Sequence, residues 1–180
     1  IEKVFVNFTI PMPQKNSLLL SKKFDGGTFM DMSPYTASIN RILFEEKLKK
    51  KSIIVKKNIQ KLIISYDVFL KYKTKVFIGT FRFGKKYNNK ILIFLRNRSI
   101  EINRAFSPPS DQKLEIQITK KNQAQTAFVK KDNCFENYLS EVIKNIKNKQ
   151  NIFYFDQMIK DENFRFKLLK VNWFNFISKI

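Results

Sequence analysis

The sequence contains no histidine and only one cysteine, Cys134. Imidazole and thiolate groups supply most zinc sites, and catalysis by a Ser-His or Cys-His pair needs an imidazole. The composition therefore excludes those sites, and a single cysteine excludes a disulfide framework. Cys134 lies in a predicted helix, where we interpret it as a small apolar side chain. We expect no metal site and no cofactor.

Glycine and long apolar runs are also scarce. The longest apolar run has five residues, 91–95, whereas a membrane-spanning helix needs roughly 20. The glycines at 26–27 are not followed by the Gly-Lys-Ser/Thr of a phosphate-binding loop. The acidic pairs at 45–46 and 161–162 are adjacent in sequence, and neighbouring side chains on a helix point about 100° apart. The sequence therefore predicts no catalytic residues, no transmembrane segment, no small-molecule substrate and no enzymatic activity.

Positive charge and aromatic residues are abundant instead. Lysine and arginine number 35 against 15 acidic residues, and 19 phenylalanines contribute to a hydrophobic fraction of 43%. Lysine, isoleucine, phenylalanine and asparagine, which have A/T-rich codons, make up 87 of the 180 residues. Acidic residues also have A/T-rich codons yet remain few, so the net charge of +20 favours selection for an anionic partner. We expect an organelle-encoded or processed protein.

The apolar pattern predicts two β-rich stretches, each followed by an amphipathic helix. Apolar residues recur with helical spacing over 58–72 and again over 133–148. The segment 33–51 is compatible with a short helix or with a charged loop. Strands are predicted at 3–10, 75–83, 91–95, 100–102 and 114–118. A hairpin closed by an Asp-Gly-Gly turn is predicted at 17–32.

This repeated order predicts an α+β fold of two tandem small domains, each an antiparallel sheet packed on one amphipathic helix. The N-terminal domain would span 1–74, the C-terminal domain 75–150, and an aromatic and basic extension 151–180. Trp173, Phe174 and Phe176 in that extension are expected to form a terminal core or to contact a neighbouring protein.

The second half resembles the large-subunit ribosomal protein L-six family, as a divergent mitochondrial-type member. The resemblance rests on a turn at 105–109 (AFSPP), strands at 114–119 (LEIQIT) and 125–131 (QTAFVKK), and a helix at 138–147. A hairpin at 18–29 adds a weaker match in the first half. The resemblance implies a two-domain protein of the large ribosomal subunit whose second domain lies on ribosomal RNA.

Basic residues near turns and strand ends are the candidate RNA contacts. Arginine gives bidentate phosphate contacts and lysine gives point charges, although a lone lysine is equally compatible with ordinary solvated surface. The predicted RNA-binding residues are Lys85, Lys86, Arg96, Arg98, Arg104, Lys113, Lys120, Lys121, Lys130 and Lys131.

Taken together, these features predict a ribosomal protein of the mitochondrial matrix, or alternatively of a plastid or an A/T-rich bacterium, that acts in translation. Its expected partners are ribosomal RNA and neighbouring ribosomal proteins. The alternative is an accessory subunit of an organelle membrane complex, which would bind anionic lipid or partner proteins through its basic charge.

Overall fold

The computed structural model describes residues 1–44, 46–121, 123–149 and 151–169. Within them, eight strands form one mixed sheet in the order β2-β3-β4-β1-β5-β6-β7-β8, accompanied by three α-helices. The strands are β1 (Lys3–Pro11), β2 (Lys50–Lys57), β3 (Ile63–Lys71), β4 (Val76–Gly84), β5 (Asn88–Leu95), β6 (Arg98–Asn103), β7 (Leu114–Lys120) and β8 (Gln123–Val129). The helices are α1 (Thr28–Leu43), α2 (Cys134–Lys147) and α3 (Asn151–Leu169).

The first strand lies in the middle of the sheet. It pairs in parallel with β4, so that Lys3 is opposite Val76, and antiparallel with β5, so that Lys3 is also opposite Phe94. All other neighbouring strands are antiparallel. The prediction of two tandem sheet-on-helix domains is therefore wrong, because β1 joins both halves of the chain into a single sheet.

One face of the sheet carries the core. Helix α1 packs on β3 and β4, and α3 packs on α1 and on β2. The rings of Tyr66, Phe77 and Phe81 are fully buried beneath α1, and the Tyr66 and Phe81 rings stack with their centroids 4.7 Å apart. Burial of such rings contributes most of the stabilisation of a small core.

Several sequence-based predictions are confirmed. Strands occur where the patterns at 3–10, 75–83 and 91–95 predict them, and α2 covers nearly all of 133–148. In α2, the Asn133 Oδ1 accepts a hydrogen bond from the backbone N–H of Glu136, which caps the first turn.

The predicted helix over 58–72 is wrong. Most of the segment is strand β3, in which the buried residues Tyr66, Val68 and Leu70 alternate with less buried neighbours. The apolar residues that suggested helical spacing include Ile59, which is fully exposed in the turn before β3. The β-branched and aromatic content of this segment, and its place between two strands, decide the conformation.

The predicted hairpin at 17–32 is also wrong. Two short 3₁₀ turns, Leu18–Leu20 and Lys22–Phe24, lead directly into α1 at Thr28. Gly27 has φ +109°, and a Cβ on Gly26 would lie 2.6 Å from the carbonyl oxygen of Leu19. The two glycines therefore close a compact loop rather than a β-turn.

The C-terminal extension is helical where the structure describes it, as α3. The predictions for Trp173, Phe174 and Phe176 lie outside the described residues. Among the helices that are described, none is both long and apolar enough to cross a membrane.

Candidate active site

The connecting segments of the first half meet at the end of the sheet where the parallel strands β1 and β4 finish, which we call the upper end. The loop from β1 to α1, the turn from β2 to β3 and the turn from β4 to β5 all lie there. The Thr28 hydroxyl at the start of α1 donates a hydrogen bond to the Ile63 carbonyl at 3.0 Å. The carboxyl ends of parallel strands are where sheet proteins commonly place ligands.

Asp31 and Tyr35 occupy successive turns of α1 at the upper end. Residues four apart lie on the same helix face. The Tyr35 ring is partly buried, with its centroid 5.3 Å from that of Phe8 and 4.9 Å from that of Phe106. Surrounding protein atoms desolvate the Asp31 carboxyl and raise its pKa. The upper part of this helix face therefore carries two proton-bearing groups, the Asp31 carboxyl and the Tyr35 hydroxyl.

The loop after β6 builds a wall beside Tyr35. Asn89 is buried, and its side-chain oxygen accepts a hydrogen bond from the backbone N–H of Phe106 at 3.1 Å. Its amide nitrogen donates to the Tyr87 hydroxyl at 2.9 Å. Arg104 has φ +55°, and its guanidinium carbon lies 5.8 Å from the centroid of the Tyr87 ring. Through Asn89, these contacts connect Tyr87 and Arg104 to the loop whose Phe106 packs on the Tyr35 ring.

Helix α3 fixes the turn of α1 that carries Asp31. Pro34 has no N–H, so the Met30 carbonyl, four residues earlier, lacks its helical donor. The Arg165 Nη2 donates to that carbonyl at 3.2 Å, and its Nε donates to the Ser33 hydroxyl at 2.7 Å. Glu162 pairs with the same guanidinium. The Arg165 side chain, which is 13% exposed, thus replaces the hydrogen bond that proline removes.

Buried hydroxyl groups set the position of α1 on the sheet. The hydroxyls of Tyr66 and Thr36 lie 3.1 Å apart, and the Tyr72 hydroxyl donates to the Asn40 side chain. Burial raises the pKa of both tyrosines, so their hydroxyls stay protonated and can donate. These pairs tie one face of α1 to β3 and to Tyr72, which directly follows β3.

The residues predicted to contact RNA are all exposed, but they form two groups rather than one surface. Strand register places the groups at opposite ends of the sheet, about 20 Å apart for strands of six residues. The upper-end group is Lys85, Lys86, Arg104, Lys113, Lys130 and Lys131, and the opposite group is Arg96, Arg98, Lys120 and Lys121. That these side chains contact an anionic partner stays a prediction.

The sequence analysis missed Asp31 and Tyr35. Asp31 falls in the predicted hairpin at 17–32 and Tyr35 in the next segment, 33–51. The two residues were therefore not expected on one helix, and their four-residue spacing was uninformative. A helix beginning at Thr28 would have placed a carboxyl and a phenol on one face, directly after a glycine pair. That spacing is the signal that could have identified them.

Comparison with known proteins identifies the fold but no sequence family. No protein-family model matches the sequence, and no curated protein matches it. Among solved structures, the chain is similar to KijD10, a 3-ketoreductase from Actinomadura kijaniata. A tyrosine-to-phenylalanine mutant of KijD10 in complex with TDP-benzene and NADP matches with a TM-score of 0.81 and 13% identity, over 89% of this chain and 50% of that one.

Two further solved structures agree. KijD10 in its open conformation matches with a TM-score of 0.70 and 15% identity, over 82% of this chain and 44% of that one. UDP-N-acetylglucosamine 3-dehydrogenase GnnA from Acidithiobacillus ferrooxidans matches with a TM-score of 0.65 and 9% identity, over 82% and 45%. The chain thus has the fold of about half of each enzyme.

These matches correct the functional predictions from sequence. The resemblance to the ribosomal protein L-six family is wrong, because most of this chain, with its single mixed sheet, matches half of the 3-ketoreductase KijD10. The roles in translation and RNA binding, and the ribosomal partners, are contradicted with it, and the membrane-complex alternative gains no support. The predictions of a non-enzyme and of no small-molecule substrate are likewise contradicted, since the similar structures are enzymes, and those of KijD10 hold NADP and TDP-benzene.

Proposed function

We propose that this chain is the substrate-binding half of a two-part oxidoreductase that acts on a sugar nucleotide. The observation that carries the proposal is the match of its mixed sheet to half of KijD10, at a TM-score of 0.81. The other half, which would bind the dinucleotide, would be supplied by a segment outside these 180 residues or by another polypeptide.

The residues of this chain do not fit a dinucleotide site on their own. Such sites use a parallel sheet and a Gly-x-Gly-x-x-Gly turn before a helix. The four glycines here, at positions 26, 27, 79 and 84, do not form that motif, and among the described strands only β1 and β4 pair in parallel. The similar enzymes are about twice as long, which leaves room for a separate dinucleotide-binding half.

In this proposal Asp31 and Tyr35 are the groups that move a proton at the substrate. Reduction of a ketone adds a proton to its oxygen, and a tyrosine hydroxyl at the surface of the site is a suitable donor. Phe8 and Phe106 hold the Tyr35 ring in place, and the raised pKa of Asp31 brings that carboxyl closer to the range where it can exchange protons. Arg165 positions the helical turn between them.

The test is NADPH consumption in the presence of a 3-keto sugar nucleotide. The protein is isolated from its own cells under native conditions, so that any dinucleotide-binding part is retained. We expect substrate-dependent oxidation of NADPH, and a decrease in kcat of about 10²- to 10⁴-fold in the Tyr35→Phe variant. The matched control is Tyr138→Phe, because Tyr138 is an exposed phenol on α2.

Two results would contradict the proposal. One is a native preparation with no dinucleotide-binding polypeptide or segment. The other is a preparation that binds NADPH but turns over no 3-keto sugar nucleotide. Equal activity of the Tyr35→Phe and Tyr138→Phe variants would remove Tyr35 from the proposed chemistry.

A further inference from the structure

A basic cleft lies at the upper end of the sheet, between the loop that follows β1 and the turn from β2 to β3. Its volume is about 630 Å³. Lys15 and Lys22 line it from the loop, and Lys61 lines it from the turn. No carboxylate is among the described residues that line this cleft. Three cations without a lining anion favour a negatively charged ligand.

Local hydrogen bonds order the backbone of both walls of the cleft. In the turn, the Asn58 Oδ1 accepts hydrogen bonds at 3.0 Å from the backbone N–H groups of Gln60 and Leu62. The same turn holds Lys61 at φ +65°, a left-handed conformation that lysine rarely adopts. Lys61 therefore extends from a turn that is ordered by its own hydrogen bonds.

The opposite wall is built by the compact loop before α1. The backbone N–H groups of Gly26 and Gly27 donate to the carbonyls of Ser21 and Leu19, at 2.9 Å and 2.8 Å. The Ser17 hydroxyl accepts a hydrogen bond from the N–H of Leu19. The lysines at positions 15 and 22 therefore extend from a backbone that is already ordered, which lowers the entropic cost of binding.

The remaining lining residues indicate the kind of anion. Asn16, Ser21 and Gln60 supply neutral hydrogen-bonding groups, and the fully exposed Ile59 supplies an apolar surface. An inorganic anion has no apolar part that could contact Ile59. A nucleotide carries both phosphates, which would contact the lysines, and a ring, which would contact the apolar surface. An adjoining cavity of about 250 Å³ shares Lys22, Gln60 and Lys61, and it is lined further along by Asp25.

We propose that this cleft binds the diphosphate group of a nucleotide, with Lys15, Lys22 and Lys61 as the phosphate contacts. The cleft and the Asp31–Tyr35 pair both lie at the N-terminal end of α1, and the adjoining cavity is lined by Met30, the neighbour of Asp31. A nucleotide held there would extend its other end toward the pair. The proposal rests on the cleft residues, and it stands if the proposed reaction is wrong.

The experiment is titration calorimetry of the full chain with TDP, NADP and pyrophosphate as separate probes. Lys61→Asn removes the charge and keeps a residue that tolerates the left-handed conformation. Lys22→Ala tests the other wall. The control is Lys71→Ala, which removes the same charge from an exposed residue at the far end of β3.

We expect TDP to bind about tenfold more weakly to Lys61→Asn and to Lys22→Ala than to the unaltered protein, and Lys71→Ala to be unchanged. Pyrophosphate should bind more weakly than TDP and compete with it. If NADP binds with the same lysine dependence and TDP does not, the diphosphate belongs to a dinucleotide, and the cleft is still a diphosphate site.

Equal weakening by all three substitutions would overturn the proposal, because it would show non-specific attraction to the net charge of +20. Failure of all three probes to bind would overturn it as well. Neither readout involves NADPH turnover, so failure of the cleft proposal and failure of the proposed reaction are distinguishable.

Discussion

The contact between Arg165 and the Met30 carbonyl predicts a specific coupling between two distant positions. Pro34 leaves that carbonyl without its helical donor, and the Arg165 Nη2 supplies one at 3.2 Å. We expect Arg165→Met to lower the free energy of unfolding, because both the Met30 carbonyl and the Ser33 hydroxyl lose a charged donor. Each such hydrogen bond contributes about 1.5–3 kcal/mol.

The two losses are not additive, so we expect a total of about 3 kcal/mol. The Glu162 side chain is 43% exposed and can be solvated by water, so the broken ion pair adds little. For a chain of this length, about 3 kcal/mol lowers Tm by roughly 6–12 °C.

The coupling is measured by repeating the substitution in a Pro34→Ala background. Alanine restores the N–H that bonds the Met30 carbonyl within the helix, so Arg165→Met should then cost about 1 kcal/mol less. Urea unfolding followed by far-UV circular dichroism gives the four free energies of the cycle.

Arg41 provides the control for this cycle. It joins α1 to α3 through Asp161, with the Arg41 Nε 3.1 Å from a carboxylate oxygen, but has no contact with the Met30 carbonyl. Arg41→Met and Pro34→Ala should therefore be additive. If Arg165→Met and Pro34→Ala are also additive within about 0.3 kcal/mol, Arg165 does not replace the proline's missing hydrogen bond.

Three further predictions concern α1 and its contacts. Asp31→Asn should stabilise the protein above pH 3.8, the usual pKa of the group, because the raised pKa means that the folded state disfavours the ionised carboxyl. Well below pH 3.8 the substitution should have no effect. Tm measured as a function of pH tests the sign. Gly27→Ala should destabilise by more than about 1 kcal/mol in urea unfolding, since φ is +109° and a Cβ would lie 2.7 Å from the Ile63 carbonyl oxygen. Tyr66→Phe should cost about 1 kcal/mol by leaving the buried Thr36 hydroxyl without its partner, and an unchanged midpoint would refute the contact.

Local patterns identified several elements of this fold but not their arrangement. The apolar content of 3–10 and 75–83 identified β1 and β4, and the apolar stripe over 133–148 identified α2, because those signals come from neighbouring residues. The central position of β1 depends on pairing with strands much later in the chain, which no local pattern encodes. The resemblance built on short motifs in the second half therefore led to the wrong topology.

The candidate site was less accessible from sequence than the fold. Histidine, paired carboxylates and glycine-rich loops are the usual sequence signals of catalysis, and a carboxyl and a phenol four residues apart are not among them. The raised pKa of Asp31 comes from desolvation by its surroundings, which only the folded chain provides. The net charge of +20 favours an anionic ligand, but lysines lie at many turns of this chain. Charge alone therefore does not single out the three lysines that line one cleft.

The central position of β1 has a consequence for how the chain folds. Strands β2 to β4 form one antiparallel meander and β5 to β8 another, and each can form through short connections. Among the described strands, β1 joins the two meanders by pairing with β4 and β5. Both partner strands follow β1 by many residues, so β1 can pair only after they have formed. Until β1 is inserted, β4 and β5 present unpaired edges to each other and to other molecules. A synthetic peptide of the β1 sequence, added during refolding, would compete with the chain's own β1 for the position between β4 and β5. Refolding would then give either the continuous eight-stranded sheet with its own β1 or a sheet in which the peptide occupies that position.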